Sequence, residues 1–391
     1  MHRLETRWRA AMPAALVVAM GLCAAIQAAD DPTTDDLPRG EVIGRVVCLR
    51  RPAQSYALYL PSNYDPKQGW PVIYCFSPAG HGIIPVRGFH QAAETYGYIV
   101  MGSHNARNGP MKPIAEAMNA MWADANERFH IDSQRVYAAG FSGGARVCTH
   151  FASQQTGKFA GVIACGAFFA NASRLPADAA FAVYGAVGDQ DFNQPEMVRA
   201  GRLLAARKMP HWIEEFPGPH RWPPAPILAE AVEFMQVVAM RAGTVPQDAA
   251  WIERIASSRL ASAEALAEQT PLLALRKYEQ TATFFSETPA AETAAARAKA
   301  LAAEPAVQEQ RAAVEAFSRH EAELHKGLGR KAFSEALAYM LQTAKSDAAL
   351  AMRAKLTLRT LYVALKRHAA GALAQKKPEQ ATRCLEVVLQ I

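Results

Sequence analysis

Short apolar runs rich in β-branched residues alternate with longer amphipathic stretches from about Glu41 to Ala242. Runs of this kind are typical of buried strands, and stretches with an apolar position every three or four residues are typical of helices. The strand-like runs follow one another directly at the start and are separated by helical stretches later. This order predicts an α/β fold, a mostly parallel sheet with helices on both faces that begins with an antiparallel pairing. The strand-like runs are EVIGRVVCL, SYALYLP, PVIYCFS, YIVMGS, RVYAAGF, FAGVIACG, FAVYGAV and HWIEEFPG.

The pattern changes around residues 243–246. From there to Ile391 there is little strand signal, and alanine, leucine, glutamate, lysine and arginine dominate. This composition predicts an all-helical domain over residues 247–391 after an α/β domain over residues 41–242. The stretch at residues 369–390 resembles one tetratricopeptide unit, and an irregular helical bundle explains the region equally well. Prolines divide the region into separate helices, at Pro271, Pro289, Pro305 and Pro378.

Residues 1–29 have the pattern of a secretory signal peptide. Basic residues at Arg3, Arg7 and Arg9 precede an apolar stretch, which ends in small residues around Ala28 and Ala29. A membrane-anchor helix is the alternative, because the apolar run approaches the short end of a transmembrane span. The signal-peptide interpretation predicts a secreted or periplasmic protein. No later segment is apolar enough for a membrane span, so none is expected in the mature chain.

Composition and charge narrow the classes of function. The chain has 391 residues, half of them apolar and a fifth charged, which favours a globular protein with two domains. The net charge of +6 is mild, and no basic patch is interleaved with aromatic residues, so no nucleic-acid partner is expected. Neither CxxC nor Cys/His ligand spacing occurs, so no metal site is expected. Three cysteines lie in strongly apolar stretches and are expected to be buried free thiols, namely Cys75, Cys148 and Cys165.

The chain passes from a strand-like run into a helix through Gly140-Phe141-Ser142-Gly143-Gly144, which fits the pattern G-x-S-x-G. An abrupt strand-to-helix reversal strains the backbone at its apex and leaves no room for a Cβ two positions to either side. A serine at that apex projects beyond the carboxyl edge of the sheet, next to the N-terminus of a helix. We therefore predict that Ser142 is a catalytic nucleophile.

A serine nucleophile needs a base, and His220 is the candidate. His220 lies in the loop GPHRWPP, after the last strand-like run and before a helix, among prolines that restrict the loop. The acid that orients the imidazole should lie between Ser142 and His220 in the chain, directly after a strand. Asp189 and Asp191 both fit. Asp191 is favoured, and Asp189 is expected to hold the turn through local hydrogen bonds.

Two backbone N–H groups should stabilise the oxyanion of the tetrahedral intermediate. Gly143, directly after the nucleophile, is the first candidate. The loop after the third strand supplies the second, with Ala79 favoured over Gly80, since proline at position 78 has no N–H. Phe141 and Trp222 are the candidates for contacts with the substrate. The loop HNARNGP is a further candidate, through Asn105, Arg107 and Asn108.

These motifs, in the chain order serine, acid, histidine, resemble the α/β-hydrolase superfamily over residues 41–242. Within it, the stretch YALYLPSNYDPKQGWPVIYCFSPAGHG is similar to secreted esterases related to polyhydroxybutyrate depolymerases and feruloyl esterases. The resemblance implies hydrolysis through an acyl-enzyme without metal or cofactor. This chain departs from the commoner pattern at residues 77–80, where Ser-Pro-Ala-Gly replaces His-Gly-Gly or His-Gly-Cys, and that departure bears on the second oxyanion donor.

The leading hypothesis is a secreted serine hydrolase that cleaves carboxylic esters, with a small-molecule or polymer ester as substrate. A serine peptidase of the prolyl-oligopeptidase type would have the same catalytic core, but that family usually carries a β-propeller before it, and no such region precedes this one. A third hypothesis is an interaction scaffold, in which the helical domain binds a protein partner and the hydrolase domain is degenerate. The complete set of serine, aspartate and histidine argues against degeneration.

Overall fold

The computed structural model describes residues 37–169, 175–328, 331–346 and 350–391. Among these residues, strand-forming runs build a single eight-stranded sheet. Its strands are β1 (Val42–Cys48), β2 (Arg51–Tyr59), β3 (Trp70–Phe76), β4 (Ile99–Ser103), β5 (Ile131–Phe141), β6 (Gly161–Cys165), β7 (Ala182–Gly188) and β8 (His211–Phe216).

The strand order is β1-β2-β4-β3-β5-β6-β7-β8. Strand β2 pairs antiparallel with both β1 and β4, while every pairing from β4 through β3 to β8 is parallel. The predicted antiparallel start of the sheet is therefore confirmed. Because all the later strands run the same way, the loops after β3, β5, β7 and β8 meet at one carboxyl edge.

Helices cover both faces of the sheet, as the long apolar runs of the central strands require. One face packs on α2 (Met111–Arg128), α3 (Gly143–Gln154) and α4 (Gln194–Ala206). The other face packs on α1 (Ile83–Tyr96) and α5 (Ala225–Arg241). Alternate residues of β2 belong to the two faces, since Leu58 lies in the first core and Tyr59 in the second. The predicted fold class, a mostly parallel sheet with helices on both faces, is therefore confirmed.

The region after α5 is helical, as predicted. Proline occupies the first position of four of its helices, where a missing N–H costs no helical hydrogen bond. The helices are α6 (Ala249–Glu264), α7 (Pro271–Phe284), α8 (Pro289–Ala302), α9 (Pro305–His325), α10 (Lys331–Ala344), α11 (Ala351–Ala374) and α12 (Pro378–Val388).

The helical region packs on the sheet through its first helices. Ile252 and Ala256 of α6, with Phe285 and Ala290, belong to the same buried cluster as Phe234 of α5. Helices α9 to α12 build separate apolar clusters farther along the chain. The proposed domain division falls in the segment between α5 and α6, and both that division and the tetratricopeptide-like character of residues 369–390 stay predictions.

No helix in the described part of the chain is long and apolar enough to cross a membrane. The predicted signal peptide, residues 1–29, lies outside the described residues.

Candidate active site

Ser142 stands at the apex of the turn between β5 and α3 with φ 54° and ψ −118°. This is a strained conformation for a residue with a side chain. The turn is tight enough that a Cβ on Gly140 would overlap the backbone of Gly144, and a Cβ on Gly144 would overlap the carbonyl oxygen of Phe76. The glycines of the G-x-S-x-G motif are thus required by close backbone approach on both sides of the serine.

Ser142, His220 and Asp191 form a hydrogen-bonded chain at the carboxyl edge of the sheet. The Oγ atom of Ser142 lies 2.9 Å from Nε2 of His220, and Nδ1 of His220 lies 2.7 Å from Oδ2 of Asp191. An ionised carboxylate can only accept, so Nδ1 carries the imidazole proton. Nε2 is then the acceptor for the Ser142 hydroxyl, which is the arrangement that a general base needs.

The structure separates the two aspartates of the loop after β7. Asp191 is buried, with 1% of its surface exposed, and its Oδ1 accepts from the N–H of Asn193 at 2.8 Å. Asp189 instead accepts from the N–H of Gly218 at 2.8 Å and so joins its loop to the loop after β8. Asp191 is therefore the acid that lies against the imidazole, and Asp189 joins the loops.

Two backbone N–H groups near Ser142 have no acceptor within the described residues, those of Gly143 and Ala79. The N–H of Gly80 donates to the carbonyl of Ser77 at 3.0 Å and is taken up by that turn. Ala79 forms an isolated antiparallel bridge with Arg107, and the Asn108 side chain lies directly over the Cα of Gly143. Of the candidates after the third strand, Ala79 thus keeps a free donor and Gly80 does not.

The loop HNARNGP is held to the sheet by Asn105. Its side chain accepts from the N–H of Ser55 at 2.9 Å and donates to the carbonyl of Ala53 at 3.1 Å. Both contacts tie the loop to β2 and leave Asn105 with a structural role. Asn108, by contrast, is exposed where it covers Gly143.

Aromatic rings enclose the imidazole of His220. The Phe141 ring centroid lies 4.5 Å from that of His220, and the Phe192 centroid lies 4.2 Å from it. Trp222 packs on Phe141 at 5.7 Å, and its Nε1 is buried without an acceptor in the described residues. Phe192 is 45% exposed and was missed by sequence reasoning, although its place directly after Asp191 was the available signal.

The cysteines near this site are buried free thiols. Burial raises the pKa of Cys75, Cys148 and Cys165 above that of an exposed thiol, so their thiolate forms are disfavoured. Across the described residues, no cluster of three or more histidine, cysteine or acidic side chains is arranged to hold a metal ion. Ser142 is half-buried, and its Oγ lies within hydrogen-bond distance of the His220 imidazole.

No family model matches the chain, and no curated protein matches it. Solved structures similar to it include an S-formylglutathione hydrolase from Staphylococcus aureus, with 15% identity, 46% of this chain and 90% of that chain covered, and a TM-score of 0.39. A ferulic acid esterase from Anaeromyces mucronatus is 16% identical, and the match covers 47% of this chain and 84% of that chain with a TM-score of 0.38. Est1E from Butyrivibrio proteoclasticus is 13% identical, and the match covers 47% of this chain and 94% of that chain with a TM-score of 0.38. Likeness at these values assigns no activity to this chain.

Proposed function

We propose that the protein is a secreted serine hydrolase that cleaves carboxylic esters through an acyl-enzyme on Ser142. The observation that carries this proposal is the pair of hydrogen bonds from Ser142 to His220 and from His220 to Asp191, at 2.9 and 2.7 Å. Three side chains far apart in the chain converge with the polarity that nucleophilic catalysis needs.

In the acylation half, Oγ of Ser142 attacks the ester carbonyl carbon while Nε2 of His220 takes the hydroxyl proton. The carbonyl oxygen becomes an oxyanion, which accepts from the N–H groups of Gly143 and Ala79. Collapse of this intermediate breaks the bond to the alcohol oxygen. His220 returns the proton to that oxygen, and the alcohol leaves.

In the deacylation half, His220 takes a proton from water, and the resulting hydroxyl attacks the acyl carbon. The bond to Oγ breaks, the proton returns to Ser142, and the carboxylic acid leaves. Asp191 stays ionised throughout and stabilises the imidazolium that forms twice in the cycle. Its burial strengthens that interaction, because little water screens it.

The enclosure of His220 by Phe141 and Phe192, with Trp222 beside Phe141, favours a substrate with an apolar or aromatic part next to the scissile bond. We assign substrate contact to these three aromatic side chains. The peptidase and scaffold hypotheses have no observation of their own in their favour. The peptidase would cleave aminoacyl or dipeptidyl anilides, and the scaffold would cleave neither these nor esters.

The test uses the full mature chain with a fluorophosphonate probe and p-nitrophenyl esters of short and long acids. We expect the probe to label Ser142, and Ser142→Ala to abolish labelling and to lower kcat by at least about 10³-fold. Ser133→Ala, at an exposed position of the same strand, should leave both unchanged. Absence of labelling in the folded parent protein would refute the proposal.

Secretion has its own test. Expressed with its own N-terminus in a bacterial host with a periplasm, the protein should be exported. Intact-mass measurement should show that the chain begins close to residue 30. A full-length chain retained in the membrane fraction would favour the anchor-helix interpretation instead.

A further inference from the structure

Strand β8 ends the sheet, and its outer edge is covered by helix α7 rather than by another strand. The side chain of Gln280 accepts from the N–H of Ile213 at 2.7 Å and donates to its carbonyl at 3.2 Å. The amide thus satisfies both backbone groups of one edge residue, as a neighbouring strand would. Strand β8 leads directly into the loop that carries His220, so α7 lies against the strand that places the base.

Two successive acids of β8 point to opposite faces of the sheet and both reach α7. Glu214 is buried and forms an ion pair with Lys277. Glu215 lies toward α4, and its carboxylate is 3.3 Å from Nη2 of Arg276. Helix α7 therefore forms ion pairs with β8 on both faces of the sheet, through two neighbouring residues of each element.

Glu215 has a second partner, which belongs to the other catalytic loop. Its Oε2 accepts from Nε2 of Gln194 at 2.7 Å. Gln194 is the first residue of α4, and its N–H donates to the carbonyl of Asp191 at 2.9 Å. One carboxylate thus joins α7, the strand before His220 and the turn that holds Asp191.

We propose that Glu215 is a positioning residue for the catalytic site. Arg276 of the helical region holds Glu215, which in turn keeps Asp191 and His220 aligned for their hydrogen bond. This inference rests on the proposed function, in which those two residues act as a pair. Both lie on loops, which move more than the elements they connect. A displacement of about 1 Å in a catalytic pair can cost on the order of 10²-fold in rate, so an anchor common to both loops has a direct effect on turnover.

The test compares Glu215→Ala and Arg276→Ala with Arg276→Lys, which keeps the charge. Arg297→Ala is the matched control, because Arg297 forms an exposed pair with Glu264 at 3.8 Å within the helical region. We expect Glu215→Ala and Arg276→Ala to lower kcat about tenfold with KM within about twofold of the parent value. Arg276→Lys should recover most of the loss, and Arg297→Ala should equal the parent.

A second readout does not depend on activity. The proton on Nδ1 of His220 should give a downfield NMR signal, identified by its loss in His220→Gln. We expect this signal to weaken or vanish in Glu215→Ala and Arg276→Ala while far-UV circular dichroism stays unchanged. If both variants keep the parent's signal and kcat, and only their melting temperatures fall, the positioning role is wrong. If the fluorophosphonate does not label the parent protein, the hydrolase proposal fails. The NMR signal alone then decides the positioning role of Glu215.

Discussion

Asp189 and Asp191 are identical side chains two positions apart with different surroundings. Asp191 is buried against His220, whereas Asp189 accepts from a backbone N–H of the next loop. An amide at 191 that turns its NH₂ group toward Nδ1 would favour the wrong tautomer, and one that turns its oxygen there would keep the tautomer without the counter-charge. An amide at 189 still has an oxygen with which to accept from Gly218.

We expect Asp191→Asn to lower kcat by about 10³- to 10⁴-fold because the imidazole loses its orientation and its counter-charge. Asp189→Asn should keep kcat close to the parent value. Steady-state kinetics on p-nitrophenyl esters and the rate of fluorophosphonate labelling measure both variants. Equal losses in the two variants would contradict the assignment of Asp191 as the acid.

Position along the chain identified the serine, the acid and the histidine, but not every side chain around them. Ser142, Asp191 and His220 could be proposed because each follows a strand-like run and because parallel strands bring such positions to one edge. Phe192 directly follows Asp191, but that place alone does not show that its ring packs on the imidazole of His220. Asn108, too, gains its place over Gly143 only from the folded loop.

At the scale of elements, the strand–turn–helix unit around Ser142 depends on backbone contact between β5, α3 and β3. Gly144 lies against the carbonyl oxygen of Phe76 at the end of β3, and a methyl group there would push α3 away from the sheet. Gly371, by contrast, is in the interior of α11 with open space around its Cβ position.

We expect Gly144→Ala to reduce the free energy of unfolding by about 1–3 kcal/mol, as overpacking does, and to reduce esterase activity along with it. Gly371→Ala should change stability in the other direction, by about 0.5–1 kcal/mol, because alanine favours the helix. Urea unfolding of the two variants checks both signs. If Gly144→Ala left the free energy of unfolding unchanged, the turn between β5 and α3 would have room for a methyl group that the structure does not show.

Local sequence patterns predicted most of the helices and strands. They did not predict the contact between α7 and the edge of β8. Prolines at the first helical positions marked the starts of α7, α8, α9 and α12, because a local rule governs that position. The cover on the edge of β8 was not predictable. Gln280 is 67 residues from Ile213, and nothing in the sequence of α7 distinguishes that glutamine from a solvated one.

At the scale of the whole molecule, the helical region completes the hydrophobic core of the α/β part. Phe284 stacks on Phe234 with centroids 4.6 Å apart and lies edge-on to Trp212 at 6.4 Å. The ion pair of Lys277 with Glu214 is buried in the same contact. We infer that a chain ending at Ala242 would expose this surface, which favours aggregation.

We expect Lys277→Met to destabilise the full chain by about 3–5 kcal/mol, since it removes the ion-pair partner of the buried Glu214 and leaves Arg259 as a more distant cation. Adding Glu214→Gln should recover most of the loss, because glutamine removes the charge and still accepts from Nε1 of Trp212. Thermal and urea unfolding of the single and double variants measure the difference. A double variant no more stable than Lys277→Met would place the loss in packing rather than in the unpaired charge.

The positive φ of Ser142 costs stability at the residue that we propose as the nucleophile. Every residue with a Cβ placed at 142 inherits the same torsional penalty, which is on the order of 1–3 kcal/mol, whereas glycine escapes it. Ser142→Gly should therefore melt at a higher temperature than Ser142→Ala, although both are inert toward esters. Position 142 is thus one at which a glycine would raise the stability of the fold but would remove the hydroxyl that the proposed reaction needs.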